Sequence, residues 1–206
     1  MVKCKRYACI KRETRKYGQQ SVVVWVLILS AVIPLFWIII IYNSLVSLRN
    51  DVTNAWHQID VQLKRRHDLI PNLVSVVKGY MEYERNVLER ITTVRTKAIT
   101  AADMRAKAAA EDSLTQSLKS LFAVMENYPV LKSNENVMEL QEELVSTENK
   151  IAFSRQLYND LVANLATKIE IFPNNMVSSL FGFRKTEYFS ADGHGTNNLQ
   201  GTEKHE

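Results

Sequence analysis

Apolar residues recur at Leu45, Leu48, Val52, Ala55, Ile59 and Leu63, the alternating three- and four-residue spacing of a helical seam, and resume at Leu69, Leu73, Val76, Tyr80, Val87, Ile91 and Val94. A second run holds Leu114, Leu118, Leu121 and Met125, and a third Leu140, Leu144, Ile151, Tyr158, Leu161, Leu165 and Ile169. No stretch sustains the alternation of a strand, and Gly79 is the only glycine between residues 19 and 181. The pattern predicts an all-α domain.

Breakers and caps divide it. Pro71 disfavours helical geometry at Ile70 and lacks a donor, so the first long helix is expected to bend or restart there. TAADMRAKAAAED, residues 100–112, rich in small and charged residues, suits an exposed connection between helices with strong local helix propensity. Tyr128-Pro129 closes the next helix, Ser133 is the expected N-cap of the third with Glu135 in its first turn, and FPNN at 172–175 ends that one. One bent helix over 43–99, a returning one over 103–127 and a third over 134–171 give an up-down-up path. That path carries residues 176–189 to the end remote from the N-terminal segment. The tail from Ser190 is polar and glycine-bearing, and is expected to be disordered.

Upstream the pattern changes kind. No Asp, Glu, Lys, Arg or His occurs from Gly18 to Leu48, and VVVWVLILSAVIPLFWIIIIY, Val22 to Tyr42, is almost continuously apolar. At 1.5 Å per residue such a run spans roughly 30 Å, the hydrocarbon thickness of a bilayer. Trp25, Trp37 and Tyr42 lie near its ends, as interfacial aromatics do. The expected domains are a basic tail (1–20), a transmembrane helix (21–42), a helical domain (43–189) and a polar tail (190–206).

Charge adds orientation. The net charge of +4 comes from residues 1–20, where seven bases face one acid; the rest of the chain carries −2, which argues against a nucleic-acid-binding domain. Seven Lys and Arg before the apolar run against Arg49 just after it place the N-terminus in the cytoplasm and the helical domain outside. Cys4 and Cys9, the only cysteines, fall in the tail expected on the reducing side.

YNSLVSLRNDVTNAWHQIDVQLKRRHDLIPNLVSVVKGY (42–80), following an apolar N-terminal helix, closely resembles the signature of the LemA family. YPVLKSNENVMELQEELVSTENKIAFSRQLYND (128–160) and FPNNMVSSLFGFRKTEYF (172–189) resemble the family's other two blocks, in order and at compatible spacing. The resemblance covers residues 22–189. It implies a single-pass protein of the bacterial inner membrane whose antiparallel bundle has no established enzymatic reaction, and, through a relative involved in forming magnetosome membranes, a role in membrane organisation. With the periodicity it gives the expected architecture: one transmembrane helix, then an antiparallel bundle of three to four long helices.

In QLKRRHDLIPNL (62–73), Leu63, Arg66 and Ile70 share one helix side, so Arg66 is the cation expected to point between helices. A buried Arg needs a partner, and Glu142, Glu143 and Glu148 are the candidates. Catalysis is not expected, for no nucleophile elbow, phosphate loop or metal-ligand spacing occurs, and His57 and His67 stand ten residues apart. Neither cofactor nor metal is expected. The third block can cap the bundle end, the favoured reading, dock into a neighbouring subunit or dip into a membrane interface, and Phe181, Phe183, Arg184 and Lys185 are its candidates for assembly or membrane contact; the up-down-up path favours packing or assembly for the two phenylalanines over anchoring. The expected partners are the bilayer, through residues 21–42, a second copy of the chain, and other membrane proteins, but no nucleic acid. The function expected is a self-associating scaffold that organises or shapes the membrane, with an extracytoplasmic adaptor or sensor module as the alternative.

Overall fold

The computed structural model describes residues 3–190, and these are helical wherever they are regular, with no strand among them. The polar tail beyond Ser190 and the side chains of Cys4 and Cys9 lie outside the described residues. The elements are α1 (Lys3–Lys78), a 3-10 turn (Glu82–Glu84), α2 (Arg85–Thr100), α3 (Met104–Met125), the short α4 (Pro129–Lys132), α5 (Glu135–Glu170) and α6 (Asn174–Leu180). Among the described residues one helix, α1, is long and apolar enough to cross a membrane.

The path differs from the expected one. Ser44 meets Lys168, Trp56 meets Tyr158 and Arg65 meets Glu143, so α5 runs antiparallel to α1. Arg95 of α2 meets His67, while Lys107 and Thr115 of α3 meet Asp60 and Arg66, so α2 descends along α1 and α3 ascends. The chain goes up, down, up and down, and α5 ends beside Ser44. The up-down-up path is therefore overturned. It fails at Gly79–Met81, where the backbone N–H groups of Tyr80 and Met81 both donate to the Val77 carbonyl and Met81 turns fully into the core. Residues 43–99 thus make two limbs where the sequence suggested one.

Pro71 does not restart α1, which continues to Lys78. A proline at 71 leaves the carbonyl four residues earlier, that of His67, without its helical donor. Arg95 Nε donates to that oxygen at 2.7 Å, supplying from α2 the hydrogen bond the proline removes. The cap of α5 is also shifted by one: Asn134, not Ser133, accepts from Val137 N at 3.2 Å. Residues 100–112 are mostly the first turns of α3, capped by Asp103, and Ala108 and Glu111 within them are buried, so the expected exposed connection shrinks to about its first three residues.

The core is layered along the axis. An upper layer gathers Ile70, Leu73, Val77, Met81, Leu121 and Leu144, and a lower one gathers Ala55, Ile59, Leu63, Ile151, Tyr158 and Phe189. At the foot, Ile41 and Leu45 pack against Val177 of α6. Each fully buried aliphatic side chain contributes about 1.5–3 kcal/mol, so the shared seams, more than helix propensity, hold the limbs together. Along the top of α1 and the turn that follows it, the buried apolar positions are 70, 73, 77 and 81, one residue out of phase at three of the four places where 69, 73, 76 and 80 were expected. Below the foot, among the described side chains of α1, Leu29 and residues 32–40 are exposed and apolar.

Candidate functional site

Two places gather the residues singled out by their chemistry. The first lies between the upper and lower core layers. On α1 the buried positions 59, 63, 66, 70 and 73 continue without a break, so Arg66 fills a place where a leucine would otherwise stand, and it is 1% exposed. α3 offers Glu111 at the same level, between Ala108 and Leu114, also 1% exposed. α5 offers Glu148, one turn from Leu144 and Ile151.

Arg66 Nη2 donates to Glu111 Oε2, and Nη1 donates to Glu148 Oε2 at 2.5 Å and to Thr115 Oγ1 at 2.9 Å. Thr115 Oγ1 in turn donates to Glu148 Oε1 at 2.7 Å. His67 Nε2 lies 2.9 Å from Glu111 Oε1. Burial pushes the Glu111 carboxyl up, but the contact with His67 and the Arg66 charge outweigh it and hold its pKa below the usual carboxylate value. The result is a polar stratum joining three helices inside an apolar body.

Arg66 thus lies between helices with Glu148 and with Glu111. Glu143 pairs instead with Arg65 at the surface, where the two side chains are 48% and 33% exposed. Glu142 does not belong to the cluster: it is exposed, on a face of α5 turned away from α1, because the helix carries only every third or fourth residue inward. Glu111 was missed. Counting back from Leu114 by helical spacing reaches Glu111 and then Ala108, the signal that a scan for apolar residues alone passes over.

The cluster gives stability a pH dependence of definite sign. Folding lowers the Glu111 pKa, so the native state binds that proton less tightly than the unfolded chain does. Its stabilisation is complete above the unfolded value, about 4.3, and is lost as pH falls through the lower native value. Melting followed by circular dichroism from about pH 5 downward should therefore fall more steeply for the wild type than for Glu111→Gln; parallel slopes would mean that Glu111 titrates as an ordinary surface acid.

The second place is the foot. Beyond α5, α6 lays Val177 and Ser178 against the body, Ser178 Oγ standing 3.1 Å from the Ile169 carbonyl. Gly182 then takes a φ of 71°, a left-handed conformation that glycine adopts without strain, and reverses the chain. Phe181 and Phe183 meet the ring of Tyr42 at 4.7 and 5.9 Å, and the Arg49 guanidinium lies 5.4 Å from the centre of the Phe183 ring. Arg184 is exposed, and Lys185 pairs with Glu170. From there residues 183–189 climb the body, where Tyr158 Oη donates to the Glu187 carbonyl at 2.9 Å and Phe189 is buried. The block expected at the remote end therefore sits beside the apolar segment of α1, because the added limb brings α5 back down.

The chain has relatives among known proteins. The chain is 24% identical to "Magnetosome protein MamQ 2" of Paramagnetospirillum magneticum over 79% of its own length and 69% of that protein's. It is 21% identical to "Magnetosome protein MamQ" of Magnetospirillum gryphiswaldense, covering 87% and 76%. It is 26% identical to "Protein LemA" of Metamycoplasma hominis, covering 72% and 68%. The model of the LemA family matches residues 55–200, which take in all three limbs after α1 and the polar stratum, and the chain belongs to the LemA family.

Proposed function

We propose that this protein is a single-pass, membrane-anchored helical bundle that self-associates to organise the bacterial inner membrane, with residues 1–20 in the cytoplasm and the bundle outside. The observation that carries the reading is the exposed apolar length of α1, Val32–Ile40, continuous with the helix that forms the spine of the packed body. Water does not favour such a length of bare Leu, Ile, Phe and Trp, whereas a bilayer does. The relatives named for the magnetosome support a membrane setting. A structural role is supported by the polar stratum, in which Arg66 and Glu111, both 1% exposed, engage each other and join helices.

The binding-module reading has one observation of its own. Between α1 and α5 runs a groove lined by His57, Val61, Gln62, Lys150 and Phe153, in which Phe153 is 69% exposed. An aromatic so placed suits a partner protein.

The two native cysteines test both halves of the proposal. A membrane-impermeant maleimide should label Cys4 and Cys9 in inside-out vesicles and spare them in right-side-out ones. Treated with a permeant bifunctional maleimide, the purified full-length protein in nanodiscs should give multimers with nothing else added. Labelling in right-side-out vesicles would reverse the orientation, and a protein that stays monomeric at every crosslinker dose would favour the binding module.

A further inference from the structure

We infer that the outer face of α6 and its leading residues form a second lipid-contacting element, seated in the interfacial zone of the bilayer that α1 crosses. The inference rests on the anchoring reading and adds to it a contact outside the transmembrane helix. Phe172 is 74% exposed, Met176 66%, Leu180 76% and Phe181 52%. Met176 and Leu180 stand at i, i+4 spacing on α6, Phe172 and Phe181 flank it in the turns before and after, and the helix's opposite face, Val177 and Ser178, is buried against the body. α6 is therefore amphipathic in place, with its apolar side turned outward.

Two observations choose the bilayer over another occupant. The first is continuity. Val177 packs with Ile41 and Leu45, and Phe181 packs on Tyr42, so α6 stands level with the last turn of the exposed apolar segment of α1. Ile38 and Leu45 are roughly 10 Å apart along the axis, comparable to the depth of the zone between headgroups and acyl chains. Any bilayer that covers residues 32–40 has its surface at α6. The second is charge. Lys168 donates to Ser44, Arg49 lies over the Phe183 ring, and the exposed Arg184 and the Glu170-paired Lys185 follow Phe183 directly in the chain, so basic groups stand on the body side of the aromatic block, where lipid phosphates would lie when the apolar face is immersed. Aromatic residues with basic neighbours at one height are the pattern of an interfacial anchor.

Spin labels can place the element. In full-length protein carrying Cys4→Ser and Cys9→Ser, single labels are attached after Phe36→Cys, Phe172→Cys, Leu180→Cys or Met138→Cys, all at exposed positions that leave the core untouched. The protein is placed in nanodiscs of phosphatidylethanolamine and phosphatidylglycerol. Collision with oxygen, which concentrates in lipid, is compared with collision with a water-soluble nickel chelate. Position 36 should be oxygen-rich, position 138 nickel-rich, and positions 172 and 180 oxygen-rich by several-fold over 138. If 36 is oxygen-rich while 172 and 180 match 138, the second contact is overturned and the anchor stands. If 36 itself is nickel-rich, the anchor fails and takes the second contact with it. Protection of 172 and 180 from both reagents would mean that a second copy of the chain covers the face, and would equally overturn the inference.

Discussion

Arg66→Ala should destabilise the protein by about 3–5 kcal/mol, because it strands the Glu111 carboxylate in an interior where it is 1% exposed. For a body of this size the melting midpoint falls by roughly 6–20 °C, readable by circular dichroism of the full-length protein in detergent. Arg65→Ala is the contrast. Its ion pair with Glu143 is half in solvent, and its loss should stay within about 0.5 kcal/mol. Removing both partners of the buried pair, as Arg66→Met with Glu111→Leu, should recover most of the loss, since apolar side chains of similar volume need no desolvation of charge. Equal shifts for Arg65→Ala and Arg66→Ala would sink the assignment of Arg66 to the interior. A double variant as weak as Arg66→Ala alone would show that the stratum contributes more than the avoidance of a bare charge.

Phe189→Ala is the other change with a large expected effect, about 3–5 kcal/mol for the loss of a buried aromatic. Phe189 is 1% exposed, its ring lies 5.5 Å from that of Trp56, and the Arg155 guanidinium sits 4.9 Å from its centre. Asn159 holds the backbone on both sides of the same residue, accepting from Phe189 N at 2.9 Å and donating to its carbonyl at 3.4 Å. This one side chain therefore fastens residues 183–190 to α1 and α5. Its removal should raise hydrogen exchange at Phe189 N and expose the segment to limited proteolysis after Arg184 or Lys185, in addition to lowering the melting point. Unchanged exchange at that amide in Phe189→Ala would mean that the Asn159 bracket alone holds the segment.

The helices were legible because their seams are written in leucine, isoleucine and valine, and Arg66 was legible because it shares a side with Leu63 and Ile70. Glu111 was not, for a carboxylate at a core position looks like a surface residue until its partner is known. The reversal at Gly79 was hidden for a different reason. Tyr80 and Val87 continue an apolar rhythm across the turn, and periodicity proposes which residues are inward without reporting that the axis has doubled back. Of the bend or restart that Pro71 suggested, the restart does not occur, for the donor that makes the proline tolerable, Arg95, is 24 positions away and in reach only after the fold forms. The place of Phe181 and Phe183 followed from the number of limbs, so one missed turn moved the aromatic block from one end of the body to the other.

The unbroken course of α1 through the foot has a mechanical consequence under the anchoring reading. No loop separates the apolar length from the spine of the body, so whatever angle the helix takes in lipid after Pro34 is the angle of the whole assembly. From Tyr42 to Lys78 the spine is roughly 54 Å long. An added tilt of about 10°, of the kind by which a helix adjusts to a thinner bilayer, would swing its far end sideways by roughly 9 Å. The body is in that sense a lever, and local membrane thickness is a quantity it would convert into displacement at the turn around Gly79.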